Sequence, residues 1–339
     1  MFYFYLPFGL SGVTKYYVDI ISEAIERLGH DIKTINNLKK LPKRSYILTI
    51  SDKDTTYAVM RRKPEYVITW FQGVTPEEMD LLYKGRWDHR PRIMAHRFFE
   101  KYALKHSNLN LFVSEAMMKH YLKHYKFNAA DCYIMPCFGN KLDRNAFTNQ
   151  KYRVPRFLYS GSITKWQCID KMLILFKKIK DVIPEASLNI LTPDHDKATA
   201  LLSQYDVTAQ IDFIEPDKLQ DYIQQFKYGF IVRDDIVVNQ VATPTKMSNY
   251  MGAGIIPVYS DVVHDYQKHI TGKSDYVIAF SDTDDCISKI KVIESTEINA
   301  TDIASDYASI FDEYWNREYY VNKLTQIIST QLNNTAQKA

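Results

Sequence analysis

Pro244-Thr245-Lys246-Met247-Ser248-Asn249-Tyr250-Met251-Gly252-Ala253-Gly254-Ile255-Ile256-Pro257-Val258 reads as a short helix that passes through a glycine stop into a buried strand. Pro244 precedes the helix, Thr245, Lys246 and Met247 form its first turn, and Gly254 ends it. A lysine in a first turn opposes the positive end of the helix dipole, and a bound anion relieves that conflict. Lys246 is therefore read as a phosphate partner, and Asn249, four and three residues beyond Thr245 and Lys246, shares their face. Arg233 and Asn239, just upstream, belong to the same candidate site.

Working outward, short apolar runs alternate with amphipathic stretches on both sides. Before the motif come RFLYSGS, a helix over about 169–183, SLNILT, QIDFI, the helix KLQDYIQQF and the strand YGFIVR. The first half repeats the pattern with FYFYLPF, a helix over 13–28, SYILTI, EYVITWF and LNLFVS. Runs this short, rich in β-branched and aromatic residues and flanked by helices, predict buried parallel sheets in an α/β fold. The polar stretch 139–155 separates the two series, and a helical, aromatic tail begins near residue 305. The expected domains are 1–148, 149–312, and a C-terminal helix with a frayed tail over 313–339.

Ligands of open α/β sheets sit beyond the carboxyl ends of the strands. Two more loops are suited to that place. Gly9-Leu10-Ser11-Gly12 follows the first strand, and Ser160-Gly161-Ser162-Ile163-Thr164-Lys165-Trp166-Gln167 follows the first strand of the second series. Glycine lets the backbone approach a ligand closely. Gly161, Ser162 and Lys165 are accordingly read as diphosphate contacts.

Composition narrows the class. Of 339 residues, 46% are hydrophobic and 24% charged, enough for two cores without disulfide or metal staples. Cys132, Cys137, Cys168 and Cys286 are few and irregularly spaced, so buried thiols in a reducing compartment are expected. The apolar start MFYFYLPFGL lacks a basic n-region and a cleavage site, and no run approaches a membrane span. The expected location is the cytoplasm, including peripheral association with the inner face of the cell membrane. Residues 1–150 hold 23 Lys/Arg against 15 Asp/Glu, while residues 151–339 hold 20 against 25. The basic half, with Arg61-Arg62-Lys63, Lys84, Arg86, Arg90, Arg92, Arg97, Lys101 and Lys105, suggests docking on anionic lipid. No nucleic-acid-binding motif accompanies it, which excludes nucleic acid as a partner. His120 and His124 share a helix face among lysines and read as part of a solvated basic surface; Glu77 and Glu78 read as solvated helix-start acids. Asp52-Lys53-Asp54 recurs in spacing at Asp194/Asp196 and Asp282/Asp284, which favours helix capping over a metal site. No metal ligand is assigned.

PTKMSNYMGAGIIPV resembles the donor-site motif of family 4 (group 1) retaining glycosyltransferases, which have the GT-B fold and read Pro-x-Lys-x-x-Glu-Tyr-Met-Ala-x-Gly-x-Pro-Val there. Gly9 to Gly12 with the helix ending at Leu28-Gly29, Phe112-Val113-Ser114-Glu115-Ala116, and Tyr159-Ser160-Gly161-Ser162-Ile163 resemble further family landmarks in the same order. The resemblance implies two facing Rossmann-like domains with a cleft between them and a C-terminal helix crossing back. It implies transfer of a sugar, with retention and without a metal or other cofactor, from a nucleoside-diphosphate sugar to a glycan or lipid-linked acceptor. Bacterial surface polysaccharide, such as capsule, is the implied context. Lys246 and Arg233 would meet the diphosphate, Gly12 would bring backbone N–H groups to it, and Gln72 would stand where the family often has histidine. Thr245, Met247, Asn249, Asn239, Gly161, Ser162 and Lys165 complete the donor set. The chain departs from the family at two glutamates, replaced by Val241 and Asn249. That departure keeps a catalytically weak donor-binding subunit in view, and the shared fold keeps a sugar-nucleotide epimerase.

Overall fold

The computed structural model describes all residues except Ser11, Gly85, Asn140 and 337–339; the side chains of Gly12, Val13, Thr335 and Ala336 are likewise left aside. The chain divides into two compact units. Unit 1 comprises Met1–Cys137, Val241–Thr243 and Asn316–Ala339, and unit 2 comprises Phe138–Gln240 and Pro244–Trp315.

Unit 1 runs β1 (Phe2–Tyr5), α1 (Gly12–Glu26), β2 (Ile32–Ile35), β3 (Tyr46–Thr49), α2 (Asp52–Arg62), β4 (Tyr66–Phe71), α3 (Thr75–Leu82), α4 (Arg90–His106), β5 (Leu109–Phe112), α5 (Glu115–His124) and β6 (Cys132–Ile134). Its six strands are all parallel, in the order β2-β1-β3-β4-β5-β6. This is the flavodoxin-like order extended by one strand, with the topological switch between β1 and β3. Every residue of β4 is buried, as its β-branched and aromatic run predicts. The hydroxyls that enter this core satisfy one another: Thr55 Oγ1 lies against Thr49 Oγ1 and 2.9 Å from Thr69 Oγ1, which is 2.6 Å from Ser107 Oγ. Unpaired, each would cost about 1–3 kcal/mol.

Unit 2 runs β7 (Arg156–Ser160), α6 (Ile169–Val182), β8 (Ser187–Leu191), α7 (His195–Tyr205), β9 (Gln210–Asp212), α8 (Pro216–Ile223), β10 (Tyr228–Ile231), α9 (Val237–Gln240), α10 (Lys246–Gly252), β11 (Ile256–Ser260), α11 (His264–His269), β12 (Ile278–Phe280), α12 (Thr283–Glu294) and α13 (Ala300–Tyr314). The parallel order β12-β11-β10-β7-β8-β9 is the Rossmann order, and its switch falls between β7 and β10. Phe157 stacks on Tyr228 and Phe230, with centroids 4.6 and 5.2 Å away, so the two switch strands share an aromatic core. Gly229 on β10 faces the Tyr250 ring so closely that a Cβ there would lie 2.5 Å from it. The missing side chain seats α10 directly on the sheet.

The last helix, α14 (Arg317–Ala336), belongs to unit 1. Val321, Leu324 and Ile328 are fully buried, Thr325 donates to Ala24 C=O of α1, and Gln331 accepts from Tyr66 OH and donates to Asn108 C=O. The first unit ends at Cys137 rather than at residue 148 because the polar stretch 139–155 is bound within unit 2. Asp143 N–H donates to Gly252 C=O, and Tyr152 OH donates to Gly254 C=O at 2.7 Å. Likewise Tyr314 and Trp315 are buried in unit 2, which moves the second boundary to Asn316. Among the described residues no helix is long and apolar enough to cross a membrane.

Candidate functional site

At the switch of unit 2, the loop after β7 meets the segment after β10 and the start of α10. Tyr250 holds this junction together: its ring lies on Gly229 and its hydroxyl accepts from Ser160 N–H at 3.0 Å. Lys246, one turn earlier on α10, is thereby aimed at the loop. Its Nζ is 2.5 Å from Gln167 Oε1 and 3.2 Å from Tyr159 OH, and it stands 4.3 Å from the centre of the Tyr159 ring. Gly161, at φ +142, is the residue that lets the ammonium in: a Cβ at Gly161 would lie 2.8 Å from Lys246 Cε and 3.0 Å from Nζ. Asp194 anchors the loop by accepting from Ile163 N–H at 3.0 Å.

Arg233 follows β10 and is 7% exposed. Its backbone N–H donates to Ser260 Oγ at 2.9 Å and its Nη1 donates to Trp166 C=O at 2.5 Å, while Nε is buried without a partner. Among the described residues no carboxylate pairs with Lys246 or Arg233. The ionisable groups that favour the Arg233 charge are tyrosines and a cysteine, neutral near pH 7. Burial, and then the nearby Arg233 charge, hold the Lys246 ammonium well below the usual lysine range. Positive charge on the two side chains is disfavoured in this low-dielectric setting without a counter-charge, and an anion would supply it.

The other expected donor residues fall into three groups. Gly161 and Lys246 converge as described, Thr245 stands at the position before α10, and Ser162 and Lys165 are exposed on the loop that follows Gly161. Met247 and Asn239 lie in the same segment with their side chains turned inward. Met247 is fully buried and its N–H donates to Pro244 C=O, so it is a core residue with no free polar group. Asn239 is buried and its Nδ2 donates to Asp234 C=O, bracing its own loop. Asn249 turns its Oδ1 against Gly139, where it is buried without a hydrogen-bond partner. Gly12 is the first residue of α1; Ser11 lies outside the described residues. Of the two residues that hold the lysine, Gln167 carried no signal beyond its place in the loop, and Tyr159, the fourth residue of β7, none beyond its place in the landmark Tyr159-Ser160-Gly161-Ser162-Ile163.

Unit 1 has its own site at its own switch. A cavity of about 590 Å³ opens among the segments after β1, β3 and β4, lined by Phe8, Asp52, Asp54, Tyr57, Gln72 and Glu78 among others. Gln72 is exposed at its edge. Burial raises Asp52 and Asp54 each to about 6 and also raises Glu78. Asp52 Oδ2 is buried without a partner. These acids sit in the first turns of α2 and α3 as read, but Glu77 and Glu78 are partly buried rather than solvated, because α5 and the Gly73 turn close over them. His120 is likewise no solvated residue: its side chain is mostly buried and its Nε2 lies 3.3 Å from Glu77 Oε1. On α4 the basic run hides Glu100, which accepts from Tyr121 OH at 3.1 Å and Tyr125 OH at 2.6 Å; burial raises its carboxyl to about 8. All four cysteines are free, with Cys168 and Cys286 buried and Cys132 and Cys137 partly so. Burial pushes their thiols up to between about 11 and about 12.

No family model and no curated protein matches the sequence. Solved structures do. Sucrose-phosphate synthase from Thermosynechococcus elongatus superposes with a TM-score of 0.71 at 12% identity, over 98% of this chain and 99% of that one. Anabaena HepE, solved with UDP-glucose, gives 0.68 at 9% identity over 97% and 99%. S. aureus TarM, solved with UDP among other ligands, gives 0.62 at 14% identity; 86% of this chain is covered, and it spans 57% of the TarM length. With two parallel six-stranded α/β units and these neighbours, the chain has the GT-B fold of glycosyltransferases.

Proposed function

We propose that this protein is a glycosyltransferase that takes a sugar from a nucleoside diphosphate and passes it to a glycan or lipid-linked acceptor. The observation that carries the reading is the pair Lys246 and Arg233, two inward cations at the switch of unit 2 with no carboxylate against them. A nucleoside diphosphate supplies the missing charge. During transfer the acceptor oxygen bonds to the anomeric carbon and releases its proton, while the bond to the diphosphate oxygen breaks with its electron pair. Negative charge grows on the leaving group, and cations already fixed in a dry site stabilise it most. HepE with UDP-glucose and TarM with UDP favour a uridine donor.

The finer parts of the reading are transfer with retention, no need for a metal, and a role in bacterial surface polysaccharide. They rest on the motif resemblance. The cavity of unit 1, with Gln72 at its edge and acids on its wall, is assigned to the acceptor. Beside α4, Trp87 is 81% exposed and Met94 is 70% exposed among Arg86, Arg90, Arg92 and Arg97, which supports docking on anionic lipid from the cytoplasmic side.

The test is a thermal-shift screen with UDP, GDP, ADP and their sugar conjugates on wild type and Lys246→Ala. A rise with one nucleotide, absent in the variant, supports the donor site. No rise at millimolar concentration overturns it. One observation favours a second reading, a donor-binding subunit without turnover: Asn249 Oδ1 is turned against Gly139 and carries no charge for a ribose. Binding without product release from any acceptor pool identifies that case.

A further inference from the structure

Glu77, in the first turn of α3, reaches α5. Its Oε1 is 3.3 Å from His120 Nε2. His124, one helical turn after His120, sets its ring beside it, with centroids 4.6 Å apart and planes at 52°. One ligand atom from each of the three residues lies within 4.8 Å of the others, and among the described residues this is the cluster that gathers three metal-ligating side chains. The second Glu77 oxygen, Oε2, is buried and has no hydrogen-bond partner.

We propose that Glu77, His120 and His124 form a binding site for a divalent transition-metal ion of the zinc class. Two imidazoles four residues apart on a helix present their nitrogens to one side, a spacing that zinc sites use. Two nitrogens and one carboxylate suit zinc, whereas magnesium and calcium take oxygen ligands. With metal–ligand bonds of about 2.0–2.1 Å, tetrahedral ligand atoms stand roughly 3.4 Å apart. The Glu77–His120 pair already has that separation. His124 is exposed, so its ring can turn the remaining distance without disturbing a core. Three protein ligands leave the fourth position to water. Arg97 and Lys123 act on this cluster and oppose a cation, so direct coordination rather than general charge must hold the ion.

The site is separate from the cation pair of unit 2, and it does not depend on the transferase reading. Its consequence lies in unit 1. Thr75 and Glu78 of α3 and Tyr121 of α5 line the cavity, and Tyr121 OH already donates to Gly73 C=O at 2.9 Å. An ion joining α3 to α5 would fix that wall.

The full chain, stripped with a chelator, is titrated with Zn²⁺ by calorimetry, and with Co²⁺ by visible absorption to read the ligand geometry. The expected result is saturable binding of one equivalent, weakened on the order of tenfold or more in both His124→Ala and Glu77→Gln. Both variants are checked by circular dichroism, and the exposed position of His124 makes that variant safe for folding. No saturable binding by the wild type, or binding unchanged in both folded variants, overturns the proposal.

Discussion

Replacing Gly161 with alanine tests how the donor loop and Lys246 depend on each other. The backbone there has φ +142, a region nearly closed to residues with a side chain, and holding alanine in it costs about 2 kcal/mol. The new Cβ would also lie 2.8 Å from Lys246 Cε and 3.0 Å from Nζ. The lysine end is flexible and will swing away, so the added cost is its contacts with Gln167 and Tyr159, about 2 kcal/mol for a charged donor. The sum, about 4 kcal/mol, lowers the melting temperature of the unliganded protein by roughly 8–16 °C. In a Lys246→Ala background the second term vanishes, and the same substitution costs about 2 kcal/mol, or roughly 4–8 °C. Calorimetric melts of wild type, both single variants and the double variant give the coupling directly. Equal losses in both backgrounds would refute the placement of Lys246 against Gly161. A nucleotide affinity for Gly161→Ala equal to that of wild type would refute the reading of this ammonium as a phosphate partner.

Glu100 ties stability to pH. Burial lifts its folded carboxyl to about 8, against about 4.3 in an unfolded chain, so between these values the folded state holds the extra proton. Its contribution to stability therefore declines as pH rises through that window, and Glu100→Gln should flatten the melting temperature between pH 5 and 8; an unchanged slope sinks the assignment. In α14, Leu324→Ala should destabilise unit 1 by about 2–5 kcal/mol, as expected for a fully buried leucine. Glu318→Ala, which removes an exposed partner of Arg27, should move the midpoint of denaturant titrations far less than Leu324→Ala, and the reverse ranking would contradict the packing described. Reversing charge at Arg90, Arg92 and Arg97 should reduce sedimentation with anionic liposomes while leaving neutral liposomes unaffected; unchanged sedimentation removes the lipid-docking proposal.

The parallel sheets were legible because strands buried on both faces need continuous apolar runs, and YVITWF, RFLYS and IIPVYS have no polar period to confuse them. The edge strand β2 was not legible. IKTI carries a lysine and a threonine that face solvent, and it pairs on one side only. Helix α4 was masked by its charge: a run of arginine, lysine and aromatic side chains conceals the single turn where Glu100 and Ala103 face inward. At the candidate site, Lys246 stood out because a lysine in a helix's first turn conflicts with the dipole. The inward turn of Met247 and Asn239 was not legible, because proximity in sequence does not distinguish the side of a helix that faces the core from the side that faces a ligand. The Glu77–His120 contact joins helices some forty residues apart in the chain, and no local pattern announces such a meeting.

Because α14 completes the unit that α1 begins, unit 1 cannot finish folding in the order in which it is made. Its sheet leaves the ribosome early, yet Val321, Leu324 and Ile328, which cover it, follow about two hundred residues later. At typical rates of translation that is roughly 10–40 s during which the apolar flank of unit 1 waits uncovered. Unit 2, whose last residue precedes α14, closes first. A nascent chain that has exposed all of unit 2 but not yet α14 therefore displays a folded C-terminal half joined to an unfinished N-terminal one, which chaperones should find at its first helix.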